Sequence, residues 1–245
     1  MLRSDWRKEH DVDLNPGSPS GVANAIEVAG LRKGYGDLPV LWDLDLDLGW
    51  GEFLALFGAN GSGKTTLLRT LAGQARPDEG SVRIAGYDLR RRPAAARRQV
   101  GVVAHSGYLY DDLTCRENLA FYGRLYAVED LPHRVGEALE RVGLSRRADR
   151  RVRSLSHGMQ KRLAIARAIL HRPSLLLLDE PESGLDRESV AALADLLREW
   201  TASGRSVVMT THNVDLGLAW ATTAAVMSNG KLNPEEAQDY LGVGR

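Results

Sequence analysis

A glycine-bracketed loop near residue 60 constrains this 245-residue chain more than any other feature. The loop fits the pattern G-x-x-x-x-G-K-[ST] through Gly58, Ala59, Asn60, Gly61, Ser62, Gly63, Lys64 and Thr65. Glycines let consecutive backbone N–H groups face one anion, and a helix that begins there adds its positive end. The loop therefore predicts a phosphate-binding site, with Lys64 beside the phosphates and the Thr65 hydroxyl as a magnesium ligand.

The residues around this loop supply the strand and helix that the pattern requires. The sequence predicts an apolar strand over 52–57, which stops at Gly58, and a helix over 64–72, which Gly73 caps. Further strands are predicted at 43–48, 81–84, 100–103, 175–178 and 206–210, and further helices at 158–170 and around 190–200. This alternation of strands and helices predicts a mixed α/β fold.

The segment from about 110 to 150 interrupts the alternation with helices. Thr114 and Glu117 fit a capping box, and apolar residues recur near helical spacing after them. A second helix is predicted from Pro132 to Gly143. We therefore expect a helical insertion in the α/β core.

A pair of acidic residues follows the apolar run over 175–178. Asp179 stands where a buried strand emerges, and a carboxylate there can hold Mg²⁺ against the phosphate loop. Glu180 comes one residue later and can polarise an attacking water. We therefore predict one metal-holding carboxylate and one catalytic carboxylate.

Composition narrows the possible partners. The 32 Lys and Arg residues balance the 32 Asp and Glu residues, so the chain has no net charge that would attract nucleic acid. We therefore predict no nucleic-acid partner.

Cys115 is the single cysteine, which excludes an internal disulfide. No stretch approaches the ~20 apolar residues of a membrane helix. Residues 1–24 and 236–245 are interpreted as tails.

A third motif, Leu155, Ser156, His157, Gly158 and Met159, is similar to the signature L-S-G-G-Q, with His157 replacing a glycine and Met159 the glutamine. With the loop and the acidic pair, it makes residues 25–230 resemble the nucleotide-binding subunit of an ATP-binding cassette (ABC) transporter. The resemblance implies a P-loop NTPase core of ABC ATPase type over 25–235. An antiparallel β subdomain and a helical subdomain at about 104–160 belong to this fold.

The same resemblance implies further site residues. Tyr35 matches an aromatic residue that stacks on adenine, and Thr66 matches a contact to the α-phosphate. His212 matches a histidine that contacts the γ-phosphate, so Lys64, Glu180 and His212 form the expected catalytic set. Asp186 lies in a loop that crosses the dimer interface. His105 stands where the family has a glutamine that couples the nucleotide to the membrane partner.

In this family, two nucleotide-binding subunits pair head to tail with ATP and Mg²⁺ between them. The resemblance implies that the signature, Leu155 to Met159, serves the ATP that the partner subunit holds. It also implies integral membrane permease subunits as partners and a peripheral location on the cytoplasmic face of the cell membrane. Homodimer and heterodimer both stay open.

The segment 103–114 is similar to the ATP-binding subunit of heme exporters used in cytochrome c biogenesis. This similarity predicts an exporter in which ATP-driven closure of the dimer powers transport. Exporters of drugs or lipids share much of the pattern, and a soluble ABC ATPase without a transport role, as in iron–sulfur assembly, is a further alternative. These alternatives stay open at the level of sequence.

Overall fold

The computed structural model describes residues 22–104 and 107–233. The predicted tail at 236–245, most of the predicted tail at 1–24, and His105 lie outside the described residues. The tail prediction is wrong at Asn24, because this residue begins the first strand and pairs with Gly49. No helix in the described ranges is long and apolar enough to cross a bilayer.

Ten strands and seven α-helices make up the described chain. The strands are β1 (Asn24–Tyr35), β2 (Leu38–Gly49), β3 (Phe53–Phe57), β4 (Glu79–Ile84), β5 (Tyr87–Asp88), β6 (Val100–Val103), β7 (Leu175–Asp179), β8 (Ser206–Thr210), β9 (Thr223–Ser228) and β10 (Lys231–Asn233). The helices are α1 (Lys64–Leu71), α2 (Pro93–Arg98), α3 (Cys115–Leu125), α4 (Leu131–Arg141), α5 (His157–Ile169), α6 (Arg187–Ala202) and α7 (Val214–Trp220). Two short 3₁₀ turns, Ser145–Arg147 and Val152–Ser154, precede α5.

An antiparallel sheet has the strand order β2-β1-β4-β5. In β2, Leu44 and Leu48 are buried, whereas Asp45 and Asp47 between them are exposed. This period of two places the leucines in a core that also contains α1. The alternation read from the sequence is therefore confirmed, and β2 extends well beyond the predicted residues 43–48.

A second sheet has the order β10-β9-β3-β8-β7-β6. Its strands β9, β3, β8, β7 and β6 run parallel, and β10 pairs antiparallel with β9. All five side chains of β3, of β7 and of β8 are buried, as expected for parallel strands covered on both faces. The predicted α/β fold is thus confirmed, and the carboxyl ends of β3, β7 and β8 lie at one edge, where such folds bind ligands.

The helices α3 and α4 form the predicted insertion between β6 and α5. Cys115, Leu119, Val135 and Leu139 pack with Leu163 of α5 in one buried cluster. The second helix begins at Leu131 and ends at Arg141, within two residues of the predicted bounds. The insertion is therefore anchored on the helix that begins at the signature residues.

Replacing Thr114 by Ala tests the capping box of α3. The Glu117 N–H donates to Thr114 Oγ1 at 3.1 Å, and the Thr114 N–H donates to Glu117 Oε2 at 2.8 Å. We expect Thr114→Ala to lower the free energy of unfolding by about 0.5–2 kcal/mol, measured by urea denaturation. Thr201→Ala is the control, because the Thr201 hydroxyl donates only to carbonyls of its own helix. Equal losses in the two variants would contradict a capping role.

Candidate active site

The loop between β3 and α1 has a backbone that suits glycine. Gly58 and Gly63 have φ angles of +139° and +111°, a region that side-chain-bearing residues rarely enter. A Cβ atom on Gly58 would lie 2.3 Å from the carbonyl oxygen of Met227. Both the backbone angles and the close approach of β9 therefore require glycine here.

Lys64 lies inside this loop and is only 7% exposed. Its Nζ donates hydrogen bonds to the carbonyl oxygens of Gly58 at 2.7 Å and Ala59 at 2.9 Å. Burial lowers the pKa of Lys64, and the carboxylates of Glu180 and Asp179 act in the opposite direction. The loop thus surrounds a cation that faces two carboxylates from the end of β7.

Asp179 connects three elements at the carboxyl edge of the parallel sheet. The carboxylate is buried and accepts a hydrogen bond from Thr65 Oγ1 at 3.1 Å and one from Thr210 Oγ1 at 2.6 Å. The first hydroxyl belongs to α1 and the second to β8, so Asp179 joins the loop helix to two central strands. Hydroxyl and carboxylate oxygens are ligands that Mg²⁺ accepts.

Glu180 and His212 form the next layer of the site. The Glu180 backbone has a φ of +47°, and its N–H donates to the Thr210 carbonyl at 3.1 Å. This left-handed turn brings Glu180 Oε1 to 2.9 Å from His212 Nε2. Two residues predicted from separate segments of sequence therefore meet in one pair, with about half of the His212 side chain exposed to solvent.

The hydroxyl of Thr210 supports both acidic residues. It donates to Asp179 and also accepts the Glu180 N–H at 3.2 Å. We expect Thr210→Val to lower the free energy of unfolding by about 1–3 kcal/mol, because the isosteric change leaves one oxygen of a buried carboxylate, Asp179 Oδ1, without its donor. Thr70→Val is the control: Thr70 is equally buried, but its hydroxyl donates to a carbonyl within its own helix. Urea denaturation of both variants checks this, and losses of the same size would contradict the supporting role.

A cleft of about 430 Å³ opens beside the loop. It is lined by residues 58–62, by Thr211 and His212, and by residues 226–229. Ser62 Oγ is buried and has no hydrogen-bond partner among the described residues. The cleft thus combines glycine N–H groups with an unused hydroxyl, a donor set that fits a phosphate group.

The remaining loop residues and Tyr35 occupy more peripheral positions. Thr66 is half-buried in the first turn of α1. Tyr35 ends β1 with 48% of its surface exposed, and the Lys33 ammonium lies 5.3 Å from its ring centre. Tyr35 is not among the described residues that line the cleft.

The signature residues lie at the start of α5. Ser156 caps this helix by accepting the Met159 N–H at 3.3 Å, and both Ser156 and His157 are exposed. Leu155 is buried beneath them. None of the described residues that line the cleft belongs to 155–159. The signature therefore presents its helix end to the surface of the molecule.

The loop before α6 packs against this helix end. A Cβ atom on Gly158 would lie 3.0 Å from the carbonyl oxygen of Gly184, and the His157 ring lies over Gly184. Asp186 then caps α6 by accepting the Ser189 N–H at 2.8 Å, a bond that holds the pKa of Asp186 below its usual value. Asp186 is thus the N-cap of α6.

The structure adds residues that sequence reasoning missed. The hydroxyls of Thr210 and Thr211 follow the apolar part of β8; Thr211 Oγ1 donates to Glu182 Oε1. The second oxygen of Glu182 is buried without a partner among the described residues, and Lys161 of α5 is buried within the electrostatic reach of this carboxylate. The signal in the sequence was the change from apolar to hydroxyl side chains directly before His212.

Comparisons with known proteins agree with this geometry. The model of the ABC transporter family matches residues 41–183. The Nod factor export ATP-binding protein I of Paraburkholderia xenovorans is 38% identical over 219 residues, which cover 89% of this chain and 72% of that protein. The protein of the same description from Ralstonia nicotianae is 36% identical over 218 residues, covering 88% of this chain and 68% of that protein.

Solved structures show the same fold. An ATP-binding subunit of an ABC transporter superposes with a TM-score of 0.82 at 29% identity, covering 90% of this chain and 95% of that one. A dimeric ATP-binding cassette in a post-hydrolysis state, bound to ADP and Pi, gives a TM-score of 0.79 at 26% identity, covering 85% of this chain and 96% of that one. The chain therefore belongs to the ABC transporter family and is one of its ATP-binding subunits, which hydrolyse ATP to power transport.

Proposed function

We propose that this chain is the motor subunit of an exporter and hydrolyses MgATP between two copies of itself or between itself and a related subunit. One observation carries the proposal: Asp179 accepts hydrogen bonds from Thr65 and Thr210, and the Glu180–His212 pair lies directly beside it. The Asp179 carboxylate, the threonine hydroxyls that donate to it and the Glu180 carboxylate that would polarise water thus meet at one edge of the sheet.

The residues of the loop divide the binding of ATP among themselves. The N–H groups of residues 58–63 and the Lys64 ammonium bind the β- and γ-phosphates, and Thr66 contacts the α-phosphate. Thr65 and Asp179 would hold Mg²⁺, which neutralises phosphate charge when bound. Tyr35 stacks on the adenine from its exposed position at the end of β1.

Glu180 is the group that polarises the attacking water. Its carboxylate is held by His212, which lines the cleft beside the loop, and its backbone is held by Thr210. His212 contacts the γ-phosphate and links the terminal phosphate to the same carboxylate. Positioning a water in this way typically contributes 10²–10⁴-fold to a rate.

The exposed signature supports a head-to-tail dimer. Ser156 and His157 lie at an open helix N-terminus, which favours an anion, while the cleft of the same chain has no lining residue from 155–159. The signature therefore serves the γ-phosphate held by the partner, and the loop with Asp186 crosses the interface. Charge-assisted hydrogen bonds of about 1.5–3 kcal/mol each, made in two such sites, suffice for the ~5.5 kcal/mol that closes a two-state dimer.

Permease subunits of the membrane are the proposed partners, and the cytoplasmic face of the membrane is the proposed location. The solved structure of cbiO1 from Clostridium perfringens, described as part of the ABC transporter complex cbiONQ, matches with a TM-score of 0.76 at 27% identity and supports this assembly. His105 is the proposed coupling position. Export rather than import is supported by the descriptions of the similar Nod factor proteins.

Heme is the cargo class that the segment 103–114 favours. The similarity of this segment to heme exporters supports the proposal, whereas the Nod factor relatives support a different cargo. Cargo specificity belongs to the membrane subunits, so the permease partner of this chain determines whether heme or another cargo is exported.

A capture experiment from detergent-solubilised membranes of the source organism tests the proposed assembly. We expect the tagged full-length chain to retain an integral membrane protein. Recovery of soluble scaffold proteins alone would contradict a transporter and favour an iron–sulfur assembly role. Cytochrome c content after deletion of the gene tests the cargo: a loss of holo-cytochrome supports heme, and an unchanged content excludes it.

A further inference from the structure

Four arginines converge on a small cavity that is distinct from the nucleotide cleft. The cavity has a volume of about 180 Å³. Its charged and aromatic lining consists of Arg134, Glu137, Arg141, Arg172, Trp200 and Arg205. These residues come from α4, from the turn after α5, from the last part of α6 and from the residue before β8.

The cavity lies at the amino edge of the parallel sheet. Arg205 directly precedes β8, whereas His212 follows the carboxyl end of the same strand. A strand of five residues spans about 17 Å, so the two sites are separated by the length of β8. A ligand here would contact neither the phosphate loop nor Glu180.

Positive charge in this cavity exceeds negative charge. Among the described residues that line the cavity, Glu137 is the one carboxylate; it pairs with Arg134 and lies 3.5 Å from Arg172. The partner of Arg141 is Glu199, at 3.6 Å, which is mostly exposed and does not line the cavity. The described lining therefore holds four guanidinium groups and one carboxylate, which pairs with two of them.

Of the four arginines, Arg205 is the one whose positive charge is least compensated by carboxylates. Among the described residues it has no ion-pair partner, and its guanidinium lies 4.5 Å from the Trp200 ring centre. Burial lowers the pKa of Arg205, and the charges of Arg172, Arg141 and Arg134 lower it further. The cavity thus confines a cation where its neighbours repel it.

Trp200 presents an unused donor in the same place. The residue is 4% exposed, and its Nε1 is buried with no hydrogen-bond partner among the described residues. A buried donor without an acceptor is costly, and so is uncompensated like charge. An anion with several acceptor oxygens in this cavity would compensate the like charge of the arginines.

We propose that this cavity binds the phosphate or pyrophosphate group of a small anionic ligand. The planar guanidinium fork matches phosphate oxygens in pairs, which makes arginine the residue suited to this recognition. The cavity is smaller than the ~300–1,000 Å³ of sites that hold whole drug-sized ligands. It therefore accommodates a phosphate group rather than a complete nucleotide.

Thermal melting with magnesium-free sodium pyrophosphate tests this site. The full chain carries Lys64→Ala, which weakens phosphate binding at the loop, and sodium chloride at equal ionic strength is the reference. We expect pyrophosphate at 100 times its Kd to raise the Tm by about 5–10 °C. Adding Arg205→Gln or Arg172→Gln should remove most of this rise.

A matched substitution outside the cavity controls for general charge effects. Arg147 is exposed in a 3₁₀ turn and does not line the cavity, so Arg147→Gln should retain the full rise. Arg172 is largely exposed, so its removal is expected to leave the fold intact. An equal rise in melting temperature with and without Arg205 would overturn the proposal.

A second experiment distinguishes a lipid headgroup from a free anion as the carrier of the phosphate group. Sedimentation with vesicles of phosphatidylcholine, with and without 30% phosphatidylglycerol, measures binding to anionic headgroups. Cosedimentation that requires both phosphatidylglycerol and Arg205 supports a lipid headgroup as the ligand. A pyrophosphate-dependent rise in Tm without cosedimentation supports a free anion, and the absence of both effects refutes the site.

Discussion

Replacing Glu180 by Gln is expected to slow ATP hydrolysis by about 10²- to 10⁴-fold while ATP still binds. Gln keeps the length of the side chain and can still accept the hydrogen bond of His212, whose Nε2 lies 2.9 Å from Glu180 Oε1. It cannot polarise a water as a carboxylate does. Since Lys64, Thr65 and Asp179 are unchanged, the affinity for MgATP should stay within a few fold of the parent value.

The same variant should accumulate as a closed dimer. Hydrolysis removes the bond between the β- and γ-phosphates and with it the preference for the closed state. We expect light scattering of Glu180→Gln in MgATP to give the mass of a dimer, and the parent chain to return to a monomer as ATP is consumed. Glu188→Gln is the control, because Glu188 is an exposed acid in the first turn of α6. Normal turnover in Glu180→Gln would remove this residue from the proposed chemistry.

Replacing Lys64 by Ala is expected to weaken MgATP binding by about 10- to 150-fold, which corresponds to the ~1.5–3 kcal/mol of a charge-assisted hydrogen bond. Lys64 carries a charge that is only 7% exposed and lies among backbone carbonyls of the loop. Removing this cation leaves the N–H groups of the loop without a lysine charge beside the β- and γ-phosphates. Turnover should fall by at least 10²-fold, because the same charge stabilises the transferring phosphoryl group.

Titration calorimetry with MgATP measures the affinity, and phosphate release measures the turnover. Lys231→Ala is the control, since Lys231 is an exposed lysine of β10 and lies outside the cleft. Unaltered affinity and turnover in Lys64→Ala would exclude Lys64 from the site. If the parent chain itself gave no heat of binding, the nucleotide assignment of the whole cleft would fail.

The central strands were predictable from sequence because each is a short apolar run between polar residues. The bounds of β6 and β8 coincide with the predicted residues 100–103 and 206–210, and α5 begins one residue before the predicted start. The capping box at Thr114 was predictable for a similar reason, since both of its partners lie within one helical turn. Local signals of this kind do not depend on distant parts of the chain.

Elements that depend on distant contacts were not predicted. The apolar stretch 216–227 divides into the end of α7 and most of β9, which the sequence pattern alone does not separate. The hydroxyl of Thr222 fixes this division, because it accepts the Phe53 N–H at 2.8 Å and so ties the start of β9 to β3. The helix α2 has only six residues and was too short for a periodic signal.

In the candidate site, too, residues within short motifs were predictable, whereas contacts between distant segments of the chain were not. Motifs predicted Lys64, Asp179 and Glu180, the family resemblance added His212, and the structure brings the four residues to one edge of the sheet. The sequence shows a hydroxyl side chain at Thr210, but only the pairing of β7 with β8 places this hydroxyl beside Asp179 and Glu180. The arginine cavity draws on segments about 70 residues apart, so no sequence window contains it.

The exposed position of Ser156 has a consequence for inheritance. In the proposed dimer, each chain lends its signature to the nucleotide of the other chain. A cell that produces a normal chain together with a Ser156→Arg chain would form mixed pairs in which the defect impairs the site of the healthy copy. Genetic lesions at this surface should therefore be partly dominant, whereas lesions that only prevent folding should be recessive.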